Sequence, residues 1–155
     1  MFHRWAALVL VLALCAMSPK NAAGQTQSNT PRGHSAGGLG NNYPNPFNPD
    51  TYLTFAVGED GCVPGSGSYV VTFQLVNVLG QVVTEPILYD APGTTPAQPA
   101  QRGKPIHGIT LKCGNYVGYW SGKLANGREA ASGVYGELVF IDGEALPARK
   151  IYYKK

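Results

Sequence analysis

The sequence predicts an all-β fold, a single antiparallel β-sandwich of about seven short strands. Three observations predict it. Apolar and polar residues alternate with period two in several short runs, as strands with one buried face require. Turn signals recur at intervals of about 8–12 residues, carried by 20 glycines and 12 prolines. Beyond the N-terminal leader, no stretch combines a helical apolar period with capping residues.

The leader itself, residues 1–24, reads as a signal peptide. Arg4 gives a positive start, and Ala6 to Met17 is an uncharged, mostly apolar run of 12 residues. Ala22-Ala23-Gly24 then offers small residues for cleavage before Gln25. A run that short does not span a bilayer. Leu14, not a small residue, precedes Cys15, which argues against lipid attachment there. The expected product is exported through the inner membrane to the periplasm, the outer surface or the medium. After leader removal it has no integral membrane segment.

The remaining 131 residues suit one domain with its own core. The chain has 12 Lys and Arg against 9 Asp and Glu; without Arg4 and Lys20 this becomes 10 against 9, and the formal +3 falls to +1. The pI of 8.8 is therefore no argument for nucleic acid as a partner. Residues 25–41 are rich in Gln, Ser, Asn and Gly, and are expected to form a flexible linker.

Asn42-Tyr43-Pro44-Asn45-Pro46-Phe47-Asn48-Pro49 is a rigid entry into the first strand. Its prolines fix φ and push the preceding residues toward extended backbone. Asn45 and Asn48 are expected to hold local turns through their side chains, and Tyr43 and Phe47 to anchor over the core. Leu53, Phe55 and Val57 then alternate with Tyr52, Thr54 and Ala56.

Gly58 to Ser68 is turn-rich. Tyr69 to Val78 is a second strand, with Val71, Phe73 and Leu75 on one face. Gly80 turns the chain into Gln81-Val82-Val83, and Glu85 to Tyr89 continues the return. Asp90 to Lys104 is expected to be an exposed loop, part of an insertion around 90–112. Ile106 to Leu111 is an extra strand, and Tyr116 to Trp120 another. Asn126-Gly127 predicts a type I′ hairpin turn, because both residues tolerate positive φ. Ser132-Gly133 is a second turn. Val134 to Ile141 has apolar residues on both faces and is expected to be central. Asp142-Gly143 is a further hairpin turn, and Leu146 to Tyr153 closes the domain.

Cys15 leaves with the leader. Cys62 and Cys113 remain as an even pair in an exported chain, which favours a disulfide. Closing a loop of about 50 residues stabilises by roughly 4 kcal/mol in the chain-entropy model. The competing arrangement, a metal site using His107 as well, lacks paired C-x-x-C spacing.

Three blocks in order carry a family resemblance. The first is Asn42 to Thr51, followed by Leu53 and Phe55. The second is Phe73 to Val83, and the third runs from Gly114 through Trp120, Gly122, Asn126-Gly127 and Ser132-Gly133 to Tyr135. Together they resemble the C-terminal type A sorting domains of bacterial type IX secretion and the related Ig-like domain of the flagellar hook-cap protein. The resemblance covers roughly 41–155. It implies an Ig-like β-sandwich over 42–155 that targets protein to the outer surface or medium, with the type IX machinery as partner. It also implies that the basic ending (Arg149, Lys150, Lys154 and Lys155) is the machinery contact. The chain departs from the family at Ser121 and Leu124, where acidic residues are usual, at Glu137, where an aromatic is common, and in the longer loop 90–112. Sorting domains normally trail a cargo, and here only the 25–41 segment precedes the domain. A second reading therefore stands beside the first: a small secreted structural or adhesive subunit that self-assembles or binds a partner surface.

No catalytic residues, cofactor or metal are expected. After the leader the histidines are His34 and His107, and no nucleophile stands with an oriented base. The acidic residues show no calcium-loop spacing, and hydrogen-bonded turns account for Asn48, Asp50 and Asp142 more simply than an ion does. Trp120 is expected to be a core anchor. Tyr52, Tyr116, Tyr119, Tyr152 and Tyr153 are numerous for a small domain, and some must be exposed.

Overall fold

The computed structural model describes residues 36–155. The signal peptide expected over 1–24 and linker residues 25–35 lie outside the described residues. Ten strands form: β1 Gly37–Tyr43, β2 Thr51–Val57, β3 Tyr69–Val76, β4 Val82–Thr84, β5 Ile87–Tyr89, β6 Ile109–Leu111, β7 Gly114–Trp120, β8 Gly133–Ile141, β9 Glu144–Ala145 and β10 Arg149–Tyr153. Four of them, β4, β5, β6 and β9, have three residues or fewer, too short to show an alternation in sequence. About seven were expected because β4 and β5 read as one return strand, β1 lay in the expected linker, and β9 has only two residues.

One sheet has the order β1-β2-β7-β5 and the other β10-β8-β3-β4, with β6 also on β3 and β9 on β8. Every pairing between these strands is antiparallel. The fold is thus the expected two-sheet sandwich, and β8 has the central place expected of it, between β10 and β3. Period-two alternation sorts the faces. Leu53, Phe55 and Val57 from one sheet join Val71, Phe73 and Leu75 from the other in a single buried core. Phe55 meets Phe73 edge-on at 5.5 Å. Each such side chain stabilises by about 1.5–3 kcal/mol through apolar burial.

The domain begins before Asn42. Residues 37–41, expected in the linker, are strand: β1 pairs with β2 from Gly37 opposite Val57 to Tyr43 opposite Tyr52. Gly37 and Gly40 mark close approach of neighbouring atoms here rather than slack chain. A side chain at Gly40 would run into Thr54.

Asp90 to Lys104 is the mostly exposed loop expected, but it is anchored rather than free. Gly103 N donates to Leu88 O (2.8 Å) and Leu88 N to Lys104 O (2.8 Å), so the return arm runs alongside β5. Ile106 then ties the two sheets, its N–H donating to Pro86 O (2.9 Å) and its carbonyl accepting from Phe73 N (2.8 Å). Ile106 and Ala97 are buried. Apolar anchors this sparse leave little mark on a Pro- and Gly-rich stretch.

The two Gly-containing hairpin turns diverge. Asp142 and Gly143 both have positive φ (52° and 86°), the primed turn that hairpins favour. At Asn126-Gly127 only Gly127 does (79°), so the type I′ expectation fails there. Gly127 N donates to Leu124 O (2.9 Å) and Leu124 N to Arg128 O (2.8 Å), a longer hairpin loop ended by a left-handed glycine.

Strand ends define two poles. Thr51 pairs with Trp120, and Gly133 with Tyr153, at one pole. Val57 pairs with Gly114, and Tyr69 with Leu111, at the other.

Candidate functional site

The residues singled out in the Asn-Pro block, β7, β8 and β10 meet at the first pole. Phe47, 1% exposed, stacks on Tyr153 at 4.8 Å and lies 5.1 Å from the Trp120 ring. Trp120 meets Tyr135 edge-on at 5.1 Å. The polar atoms of these rings are satisfied locally. Trp120 Nε1 donates to Lys123 O (2.8 Å), and Tyr135 Oη to Ala131 O (2.8 Å), four residues upstream. Gly122 (φ 73°) sits so close to Pro49 that a Cβ would collide with the Pro49 carbonyl. The first and third sequence blocks therefore pack on each other.

Within the Asn-Pro block the roles differ from those expected. Tyr43 is 75% exposed, because alternation along β1 turns Asn42 inward instead. Asn42 Nδ2 donates to Pro44 O (2.9 Å) and to Thr51 Oγ1 (3.0 Å), and Thr51 Oγ1 donates to Pro44 O (2.9 Å). This clamp fixes the turn in which the Tyr43-Pro44, Asn45-Pro46 and Asn48-Pro49 bonds are all cis. Asn45 holds no local turn: its Oδ1 accepts from Tyr152 N (3.3 Å), 107 residues away. No side-chain hydrogen bond forms at Asn48 among the described residues.

The block covers an edge strand. β10 pairs with β8 on one side only. On its other side Phe47 N donates to Tyr152 O (3.0 Å) and Lys154 N to Phe47 O (3.1 Å). An open edge is a template for unwanted pairing. Here Asn45 and Phe47 occupy its C-terminal end.

The four basic residues at the end of the chain split into two kinds. The Arg149 guanidinium donates to Leu39 O and Asn41 Oδ1, strapping β10 to β1 across the mouth between the sheets. Lys155 Nζ pairs with Glu129 (2.9 Å) and its N–H donates to Ser132 Oγ (3.0 Å). That pair lowers the Glu129 pKa and raises that of Lys155. Lys150 and Lys154 are exposed and make no ion pair among the described residues.

Glu137 is the outlier of the interior. It is 2% exposed and on the core-facing side of β8 with Tyr135 and Val139. Burial pushes its carboxyl up to about 7, against an opposing pull from Arg149, its register partner. Its place two residues after Tyr135, where an aromatic was expected, is the signal that marks it.

At the second pole Cys62 and Cys113 form the expected disulfide, with Cα atoms 6.2 Å apart and a sequence separation of 51. Both thiols are consumed, and His107 lies on Glu85 (2.6 Å), so the alternative metal set does not assemble. Asp50 and Asp142 fall at opposite poles and do not share an ion site with Asn48. Among the described residues no three His, Cys, Asp or Glu side chains gather as for a metal. No helix among them is long and apolar enough to cross a membrane.

The tyrosines divide as alternation dictates. Tyr116 and Tyr153 are buried, and Tyr152 is exposed. Tyr52 and Tyr119 lie on the outer face of the first sheet with Tyr89, ring centroids 5.0–6.1 Å apart. Tyr119 Oη donates to Asp50 (3.0 Å). An open cleft of about 580 Å³ lies between β4 and the 121–125 segment, reaching Glu85 and Lys123. Val78, expected to end the second strand, and Leu79 instead lie beyond it. β3 ends at Val76, and these two stand 79% and 77% exposed on a hairpin tip. Asn77 Oδ1 stiffens that tip by accepting from Leu79 N and Gln81 N, both at 3.0 Å.

Comparison with protein-family models, curated proteins and solved structures finds no match for this chain.

Proposed function

We propose that this protein is an exported, non-enzymatic Ig-like module that acts as a type IX-like sorting domain, directing its chain to the outer surface or the medium. In this reading a secretion machinery docks on the folded pole around β10 and reads shape and charge rather than a linear peptide. The observation that carries it is the convergence of Phe47, Pro49, Trp120, Gly122 and Tyr135, drawn from the blocks that bear the resemblance, on the edge of β10. Lys150 and Lys154 are exposed in that region, make no ion pair among the described residues, and are the candidate contact. The buried aromatics set the shape and the lysines supply the charge.

The test is cell fractionation of a Lys150→Glu/Lys154→Glu variant in the producing cell. Both positions are exposed, so the fold should persist, which circular dichroism and the urea midpoint verify. Accumulation of folded protein in the periplasm is the expected result. Normal arrival of the folded variant at the surface or in the medium refutes the proposal.

A further inference from the structure

The exposed charges are unequally divided between the poles. At the aromatic pole the loops and tail carry Lys123, Arg128, Lys154 and Lys155 against Asp50 and Glu129, a formal +2. At the disulfide pole the loops carry Lys112 against Glu59, Asp60, Asp142 and Glu144, a formal −3. Little of this is neutralised internally. Lys155 and Glu129 pair with each other, and Asp142 Oδ1 accepts from Val70 N (2.8 Å). Lys123, Arg128 and Lys154 on one side, and Glu59, Asp60 and Glu144 on the other, make no ion pair among the described residues. The remaining exposed charges lie along the flanks.

Each pole also presents aliphatic side chains on a stiffened loop. Val78 and Leu79 crown the Asn77-held hairpin at the basic pole. Val63, 69% exposed, stands on the loop next to Cys62 at the acidic pole. That loop is tied down twice, Gly65 N donating to Cys113 O (2.8 Å) and Cys113 N to Ser66 O (2.7 Å). Loops held this way lose little entropy on docking, which favours their use as contacts.

We infer that copies of this chain associate end to end, the basic pole of one against the acidic pole of the next. The contact joins Val78 and Leu79 to the Val63 loop, ringed by opposite charges. A second copy is the occupant because it brings the complementary charge to each pole, whereas two like poles would repel. Contact between two different patches is head-to-tail, so it propagates into a ring or an open chain instead of stopping at a two-fold dimer. The inference does not depend on the sorting role; it concerns the domain once folded and free.

The experiment is sedimentation of the whole chain, as secreted, over a wide concentration range and at two salt levels. Mass growth with concentration at about 0.01 M salt is expected, and its loss near 1 M, where the Debye length falls from about 30 Å to about 3 Å. Glu59→Lys/Asp60→Lys should make both poles basic, and Lys123→Glu/Arg128→Glu should make both acidic. Each variant alone should associate about tenfold more weakly or worse, and an equimolar mixture of the two should associate again. Because each variant serves as the folding control of the other, recovery on mixing excludes misfolding as the cause. A strict monomer at every concentration and low salt overturns the inference. So does association that the charge reversals leave unchanged, or a mixture that stays monomeric.

Discussion

At one pole of this sandwich Phe47, Trp120, Tyr135 and Tyr153 close the core by packing; at the other a covalent bond between Cys62 and Cys113 ties two loops. Both poles use one shared device. Tyr135 and Tyr116 sit near the starts of their strands, and each donates to a carbonyl four residues upstream, Ala131 O at 2.8 Å and Lys112 O at 2.9 Å. This is the logic of the tyrosine corner, in which a buried ring satisfies its hydroxyl on its own approach loop. The difference between the poles lies in which state each closure acts on. The aromatic cluster stabilises the folded state through burial. The disulfide acts chiefly by narrowing the unfolded ensemble. The first is indifferent to reductant and the second is not.

Breaking the aromatic pole should have the largest effect. Phe47→Ala removes a ring that contacts two others in a fully buried site, and should cost about 3–5 kcal/mol. Urea unfolding should show the same loss with and without reductant. A loss that appears only in reductant would show that the distant disulfide, not the ring, limits stability in the oxidised protein. The second effect is at the other pole. Cys62→Ala/Cys113→Ala should cost about 2–4 kcal/mol in oxidising buffer and render the protein insensitive to reductant. Equal stability of the variant and the oxidised parent would show that the turn hydrogen bonds around Cys113 suffice.

Glu137, between the poles, sharpens the comparison. Its carboxyl titrates near 7 in the folded protein and lower when unfolded, so the folded state holds the proton more tightly. That contribution is complete at low pH and is lost as pH rises through about 7. Glu137→Gln should therefore stabilise the domain by up to about 3 kcal/mol near pH 8 and change little near pH 4. Unfolding midpoints at the two pH values decide it, and equal shifts at both would remove titration as the cause.

Much of the fold was legible because alternation and turn chemistry are local. β2, β3, β7 and β8 each announce a buried face, and Asp142-Gly143 forms the hairpin turn its residues favour. β1 was hidden because its pairing relies on backbone hydrogen bonds beside glycines, which leave no apolar pattern. The path of the insertion was hidden because one residue, Ile106, makes its connection to both sheets. In the candidate site, Phe47, Trp120 and Tyr135 were legible as anchors, but their meeting point was not. That Asn45 serves β10 rather than its own turn depends on a neighbour 107 residues away. Glu137 showed itself only as an unexpected residue type, since its burial follows from the register of three strands.

The cover that residues 45–47 place over β10 has a consequence for the order in which the domain is made. The piece that completes the last strand is supplied by the first turn, so the contact spans nearly the whole domain. Contacts this distant in sequence must close a long loop before they repay its entropy, and they slow folding. In a chain emerging N-terminus first, Phe47 can meet Trp120 but lacks its stacking partner and its backbone partners until Tyr152 and Tyr153 arrive. Closure of the β10 edge is thus timed by the last residues of the domain to be made.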